Sequence, residues 1–235
     1  MEEPFATLAD LVTGSLGPQA PHIVGIGGAV AVGKSTVAAG LAEALGEHGR
    51  RVDVVPTDAF LYPNAILHDR SLDMRKGFPE SFDADALLRF VEAVRAGAAR
   101  IEVPVYSHAT YDILPDERAL VTRPDLVLLE GVFALQIPVV EALDAAVYVH
   151  AEEQEVRRWF VDRFRRLTAE ARGDPSSFYA GFADIPADAL IALAESTWDA
   201  INGVNLREHI LPSRDRATVI VEKAADHSIG RVAAV

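Results

Sequence analysis

The chain has 235 residues, half of them hydrophobic, and sets 35 acidic against 22 basic side chains for a formal net charge of −13. That length buries the core of one α/β domain, with or without a lid, and an acidic chain without a long Lys/Arg block argues against nucleic acid as a partner. With no cysteine, disulfides, thiolate metal sites and a cysteine nucleophile are excluded.

The N-terminus, MEEPFATLADLV, opens on acids and lacks the basic-then-apolar pattern of a secretory signal. Phe5, Leu8, Ala9 and Val12 fall at helical spacing and predict a short amphipathic arm over residues 1–21, broken by Pro18 and Pro21. His22–Gly27 is an apolar, β-branched run of strand length that enters a glycine-rich turn. Ser35 to Glu47 predicts a helix stopped near Gly49, and Arg51–Val55 a second strand ended by Pro56-Thr57-Asp58. Asp83 has the character of an N-cap for a helix through Leu87, Leu88, Val91 and Val94, closed by Gly97. Glu102–Tyr106 reads as a short extended segment, and Asp125–Leu129, Ala146–Val149 and Ala217–Val221 as further strands, with helices near 152–170 and 186–208. Apolar runs such as Val127–Leu129 and Val132–Leu135 are too short to span a bilayer, so the cytoplasm is the expected compartment and no membrane partner is expected. There is no internal repeat. Alternation of strand and helix predicts an α/β fold, a parallel sheet with helices on both faces, in one domain spanning 22–235. Ligands of such sheets bind at the carboxyl ends of the strands, where the glycine-rich turn, Asp58 and Glu130 all fall.

The turn Gly28-Ala29-Val30-Ala31-Val32-Gly33-Lys34-Ser35, followed by Thr36, fits G-x-x-x-x-G-K-[ST] between a strand and a helix. Its backbone amides and the helix N-terminus suit a nucleotide's phosphates, Lys34 the β/γ-phosphates and Ser35 a Mg²⁺ ion, so ATP and Mg²⁺ are the expected cofactors. Glu130 ends an apolar strand, where an acid near Mg²⁺ is expected. Asp58 is the second acid, and the two could exchange the roles of metal-shell acid and proton acceptor. No N-K-x-D guanine-reading motif and no Ser-Gly-Gly-Gln-like signature is present, which argues against a GTPase and an ABC-type ATPase. Arg157, Arg158, Arg163, Arg165 and Arg166 share one helix; they are either a solvated, salt-bridged face or a lid, about 152–172, that meets transferring phosphoryl charge.

The stretches GGAVAVGKST, PTDAFLYPN, KGFPESFD, PVYSHATYD, LLEGV, WFVDRF, INGVNLREHILPSRDRA and AADH together resemble type I (prokaryotic) pantothenate kinases, P-loop kinases akin to phosphoribulokinase and uridine kinase. The resemblance runs from about residue 23 to 227. It implies phosphorylation of the primary hydroxyl of pantothenate by a homodimeric enzyme, with Lys34 on the phosphates, Ser35 and Glu130 on Mg²⁺, Asp58 as base or aligner and Arg163 on transition-state charge. Tyr106, His108, Tyr111 and Asn202 match positions that line the pantothenate pocket, and His227 one near the adenine. The chain departs from the family at Phe160, in the substrate pocket, where Tyr is usual. It also has Leu167 for Phe, Ala59 for Gly and Phe133 for Asn, and the segment from Gln136 to Val147 is shorter. Members of the family are commonly restrained by coenzyme A through an Arg and an aromatic; Ala39 and Leu167 stand at those positions, which implies weak feedback. The alternatives are a paralogous kinase for another small alcohol (a nucleoside, a sugar acid or a pantetheine-like molecule) and a silent nucleotide-binding regulator. Against the last stands the presence of Lys34, Ser35, Asp58, Glu130 and Arg163 together.

Overall fold

In the computed structural model, which describes residues 3–235, the apolar runs of the sequence become neighbours in a single six-stranded sheet. Met1 and Glu2, the start of the acidic N-terminus, lie outside the described residues. The central strand β1 (His22–Gly28) lies between β5 (Leu126–Glu130) and β6 (Ala145–His150). β2 (Val52–Pro56) flanks β5, while β7 (Val219–Lys223) and then β8 (Ile229–Ala234) lie beyond β6, giving the order β2-β5-β1-β6-β7-β8. All pairings as far as β7 are parallel, and β8 returns antiparallel. A parallel strand covered on both faces must be apolar at every position rather than at alternate ones. All seven residues of β1 and the first four of β5 are accordingly buried.

Helices cover both faces. On one, Leu126 and Leu128 pack into a core shared with α1 (Glu3–Ser15), α2 (Lys34–Glu47) and α5 (Glu153–Glu170). On the other, Val127 and Leu129 join Leu87, Phe90, Val91 and Val94 of α4 (Ala84–Arg95), as the two-residue period of a strand requires. The Asp83 cap forms as expected: the Ala86 N–H donates to Asp83 Oδ1 at 2.8 Å, a bond worth roughly 0.5–2 kcal/mol to a helix. α1 buries Leu8, Ala9 and Val12 against the sheet's helical layer, and the Phe5 ring lies so close to Gly40 that a Cβ there would meet it at 2.4 Å.

Two strands were not expected. The extended segment around Glu102–Tyr106 is β3 (Ile101–Ser107), and it pairs antiparallel with β4 (Asp112–Val121) as a separate hairpin. β4 and the edge strand β8 escape sequence reading because β4 is largely exposed, β8 is only partly buried, and both are interrupted by Asp, Glu, Arg, Pro or Gly. A short helix, α3 (Asn64–Asp69), lies between β2 and α4 in the chain. The helix foreseen near 186–208 is α6 (Ala187–Thr197). It continues without a break to Ile210 but widens into π-type turns at Trp198–Asn202 and Leu206–Ile210.

Candidate active site

The end of β1 sets the geometry of the phosphate-binding loop. Gly33 takes φ +92° immediately before α2, a left-handed conformation that a side chain would resist, and α2 then begins at Lys34 with its free amides at the loop. Lys34 is 8% exposed, and its Nζ donates to the Ala29 carbonyl at 2.8 Å, so the ammonium is held inside the loop that it serves. Burial lowers its pKa, Glu130 and Asp58 oppose that shift, and Arg163 adds to it. One residue on, Ser35 Oγ donates to Glu130 Oε2 at 3.0 Å. This hydroxyl–carboxylate pair is a hard-oxygen donor set of the kind Mg²⁺ takes together with phosphates. Among the described residues no cluster of three or more His, Cys, Asp or Glu offers a protein-only cage.

Strand register brings the second acid to the same place. Pro56 of β2 stands opposite Glu130 of β5, and Asp58 follows two residues later in a 3-10 turn, Thr57–Phe60. Burial pushes the Asp58 carboxyl up, and Lys34, Lys76 and Arg163 each pull it down. His108 is also lowered by burial and feels Arg163, Glu130, Lys34 and Lys76. Lys34, Asp58, Glu130, His108 and Arg163, foreseen from residues far apart in the chain, therefore share one electrostatic neighbourhood at the carboxyl ends of the strands.

The five arginines of α5 divide four to one. Arg157 pairs with Glu195 and Asp199, Arg158 with Glu155, Arg165 with Asp162 and Arg166 with Glu170. Among the described residues Arg163 has no carboxylate partner, and it is the one whose charge reaches Lys34, Asp58 and His108. The salt-bridged-face reading holds for four of the run, and the phosphate-facing reading is left with Arg163.

Tyr106, His108 and Tyr111 cluster at the hairpin end. The Tyr106 ring lies 5.2 Å from His108 and 6.3 Å from Tyr111, and Tyr111 stacks on Phe178 at 4.6 Å. Burial raises the pKa of both tyrosines, far upward for Tyr106 and to about 12 for Tyr111, so both keep their protons. Asn202 sits half-buried in the first π-type turn. Phe160 belongs to an aromatic layer with Trp198 at 5.7 Å and Phe164 at 6.3 Å. Phe133, which stands where the family has Asn, is a core residue, 3% exposed and stacked on Phe82 at 4.4 Å. His227 lies apart from these groups, against Trp159 with ring centroids 3.7 Å apart. Its neighbour Lys223, which helps lower its pKa, approaches the phosphate loop: Nζ lies 3.8 Å from where a Cβ on Gly33 would stand.

Lys76 was missed. Its ammonium donates to Asn64 Oδ1 and the Tyr111 carbonyl, and lies 4.2 Å from the Tyr111 ring centroid and 5.0 Å from that of Tyr106. Burial pushes it down to about 8 against the pull of Asp112 and Asp58. The sequence held a signal, since Lys76 opens the family-typical stretch KGFPESFD, but nothing local marks that lysine as desolvated. Tyr179 was missed as well; its proximity raises the pKa of Tyr106 and Tyr111, and Arg163 acts on it.

Comparison with known proteins bears on this geometry. A model of the phosphoribulokinase/uridine kinase family matches residues 23–169. A pantothenate kinase of Cutibacterium acnes is 47% identical over 225 residues, 90% of this chain and 69% of the relative. One of Brucella abortus is 42% identical over 226 residues, covering 91% and 70%. Among solved structures, one from a Silicibacter species superposes with a TM-score of 0.72 at 24% identity, covering 88% of this chain and 93% of that one. A D-glycerate 3-kinase from Cryptococcus neoformans gives a TM-score of 0.68 at 13% identity with both chains fully covered. At these identities the structural likenesses show the shared fold.

Proposed function

We propose that this chain, which belongs to the phosphoribulokinase/uridine kinase family, transfers the γ-phosphoryl group of ATP to the primary hydroxyl of pantothenate. The product is 4′-phosphopantothenate, and the reaction is the first step of coenzyme A biosynthesis. The relatives at 42–47% identity support the acceptor. The observation that carries the chemistry is the convergence of Lys34, Asp58 and Arg163 beside the Ser35–Glu130 pair.

Each group has a task set by its surroundings. The loop amides and Lys34 hold the β/γ-phosphates, for which Lys34 exchanges the Ala29 carbonyl. Asp58 accepts or aligns the hydroxyl proton; burial raises its carboxyl, and Lys34, Lys76 and Arg163 pull against that rise. Arg163, free of a carboxylate among the described residues, meets the charge that spreads over the transferring phosphoryl. Ser35 and Glu130 are the residues that would hold Mg²⁺, which when bound screens the phosphate charge. Tyr106, His108, Tyr111, Asn202 and the aromatic layer with Phe160 form the acceptor side, to which Lys76 adds a cation. His227 serves the adenine end, with Lys223 beside the loop.

The reading includes a lid built on α5, about residues 152–172, over a single kinase domain of residues 22–235 preceded by the arm. It also includes a homodimer in the cytoplasm. No helix among the described residues is long and apolar enough to cross a membrane. Coupled ATP-consumption assays over pantothenate, pantetheine and nucleosides test the acceptor. Turnover confined to pantothenate is expected, and preference for another alcohol would overturn that assignment while leaving a kinase. Sedimentation at micromolar concentration tests the dimer.

A further inference from the structure

We propose that Asn205 is a positioning residue for the phosphoryl acceptor: its side-chain amide pins the turn at Gly77 and so holds the Lys76 ammonium against the acceptor pocket. The proposal rests on the reading of Lys76 as an acceptor-side group.

The contact joins parts of the chain 128 residues apart. Asn205 is 6% exposed, and its Nδ2 donates to the Gly77 carbonyl at 2.8 Å. Gly77 takes φ +90°, a conformation that few other residues adopt. Its own N–H donates to Ser81 Oγ at 2.9 Å, and that fully buried hydroxyl donates to the Phe78 carbonyl at 2.7 Å. The turn is therefore gripped from within by Ser81 and from across the molecule by Asn205. Lys76 is the next residue back. It faces Asp58 from the turn after β2, Asp112 from β4, His108 and the rings of Tyr106 and Tyr111 from the hairpin, and Asn64 from α3. A shift of the turn at Gly77 moves the ammonium relative to all of them.

The helix that carries Asn205 is shaped for this contact. Asn205 lies between the π-type turns Trp198–Asn202 and Leu206–Ile210. Each such turn takes up extra residues and rotates the helix face beyond it, a device that recurs at functional sites. Asn205 Oδ1 is buried and, among the described residues, has no hydrogen-bond partner. An unsatisfied buried acceptor costs stability, so a residue chosen for packing alone would be apolar. The site uses the donor half of the amide.

The test compares Asn205→Leu, which keeps the volume, with Asn205→Asp, which keeps the shape but not the donor; thermal unfolding identifies folded variants, and one of the two suffices. The expected result is an acceptor KM raised about ten-fold, kcat changed little and MgATP affinity by calorimetry as in wild type. Lys76→Met should raise KM similarly, and Asn205→Leu added to it should do no further harm, since both act through one ammonium. A purely structural asparagine would lower the melting temperature without singling out the acceptor. Wild-type acceptor KM in both Asn205 variants, or effects that multiply in the double variant, overturns the proposal. A silent Lys76→Met overturns it together with the reading of Lys76. If the wild-type chain prefers another alcohol, the acceptor assignment falls and the same KM split is read on that alcohol.

Discussion

Replacing Asp58 by Asn separates the acid's chemistry from its cost to the fold. The substitution keeps the shape and one hydrogen-bonding oxygen but removes the charge that accepts the hydroxyl proton. Loss of a positioned general base lowers turnover by about 10²–10⁴-fold, equivalent to about 3–5 kcal/mol in the barrier. MgATP affinity should change little, because Lys34 and the loop amides remain. Stability should move the other way. Burial raises the Asp58 carboxyl above its ordinary 3.8 despite three nearby cations, so folding favours the protonated form. That contribution is fully present below 3.8 and is lost as pH rises through the raised folded value. At neutral pH the wild type therefore carries a penalty that Asn lacks, and the variant should melt higher, by a margin that closes toward acid pH. Steady-state kinetics, calorimetry with MgATP and melting curves across pH check all three. Near-wild-type kcat would move the proton-accepting role to Glu130, and a lower melting temperature at neutral pH would refute the electrostatic argument.

Lys34→Ala should weaken both ATP binding and phosphoryl transfer, and calorimetry with full affinity alongside full activity would refute the loop assignment. Arg163→Gln should cut kcat strongly, whereas Arg165→Gln, which breaks only an exposed pair with Asp162, should leave it within about two-fold, as exposed pairs contribute little; equal effects would dissolve the distinction between them. Because burial lowers Lys76 to about 8, its charge is lost as pH rises through that value, and the acceptor KM should climb on the alkaline side while MgATP affinity stays level. Coenzyme A should inhibit weakly, since exposed Ala39 offers its phosphates no cation; one missing charge-assisted bond of roughly 1.5–3 kcal/mol weakens binding about ten-fold or more, and strong ATP-competitive inhibition in a titration at fixed ATP would contradict this.

The parts of the fold legible in the sequence were those in which one local pattern decides the outcome. β1, β5 and β6 are buried on both faces, so they had to be continuous apolar runs. The phosphate loop needs glycine at fixed offsets. Arg163 was legible in principle too: it continues the stripe Val156, Trp159 and Phe160 that α5 turns inward, while its salt-bridged neighbours fall on the other faces. What stayed hidden depends on partners distant in sequence. β4 reads as a polar loop because its order comes from β3. The π-type turns differ from α-helix in hydrogen-bond offset, for which composition carries no mark. Lys76 is desolvated by tyrosines some thirty residues downstream, and Phe133 is buried against Phe82 from a distant part of the chain.

The placement of the two tryptophans makes the enzyme its own optical instrument. The chain has only Trp159 and Trp198. Trp159 lies against His227, the residue proposed for the adenine end, while Trp198 lies against Phe160, on the proposed acceptor side. On that reading, emission from the unlabelled protein originates at both ends of the proposed reaction path. Replacing either indole with Phe leaves a reporter for the other, so nucleotide arrival and acceptor arrival can be timed separately in a stopped-flow cell without attaching a dye.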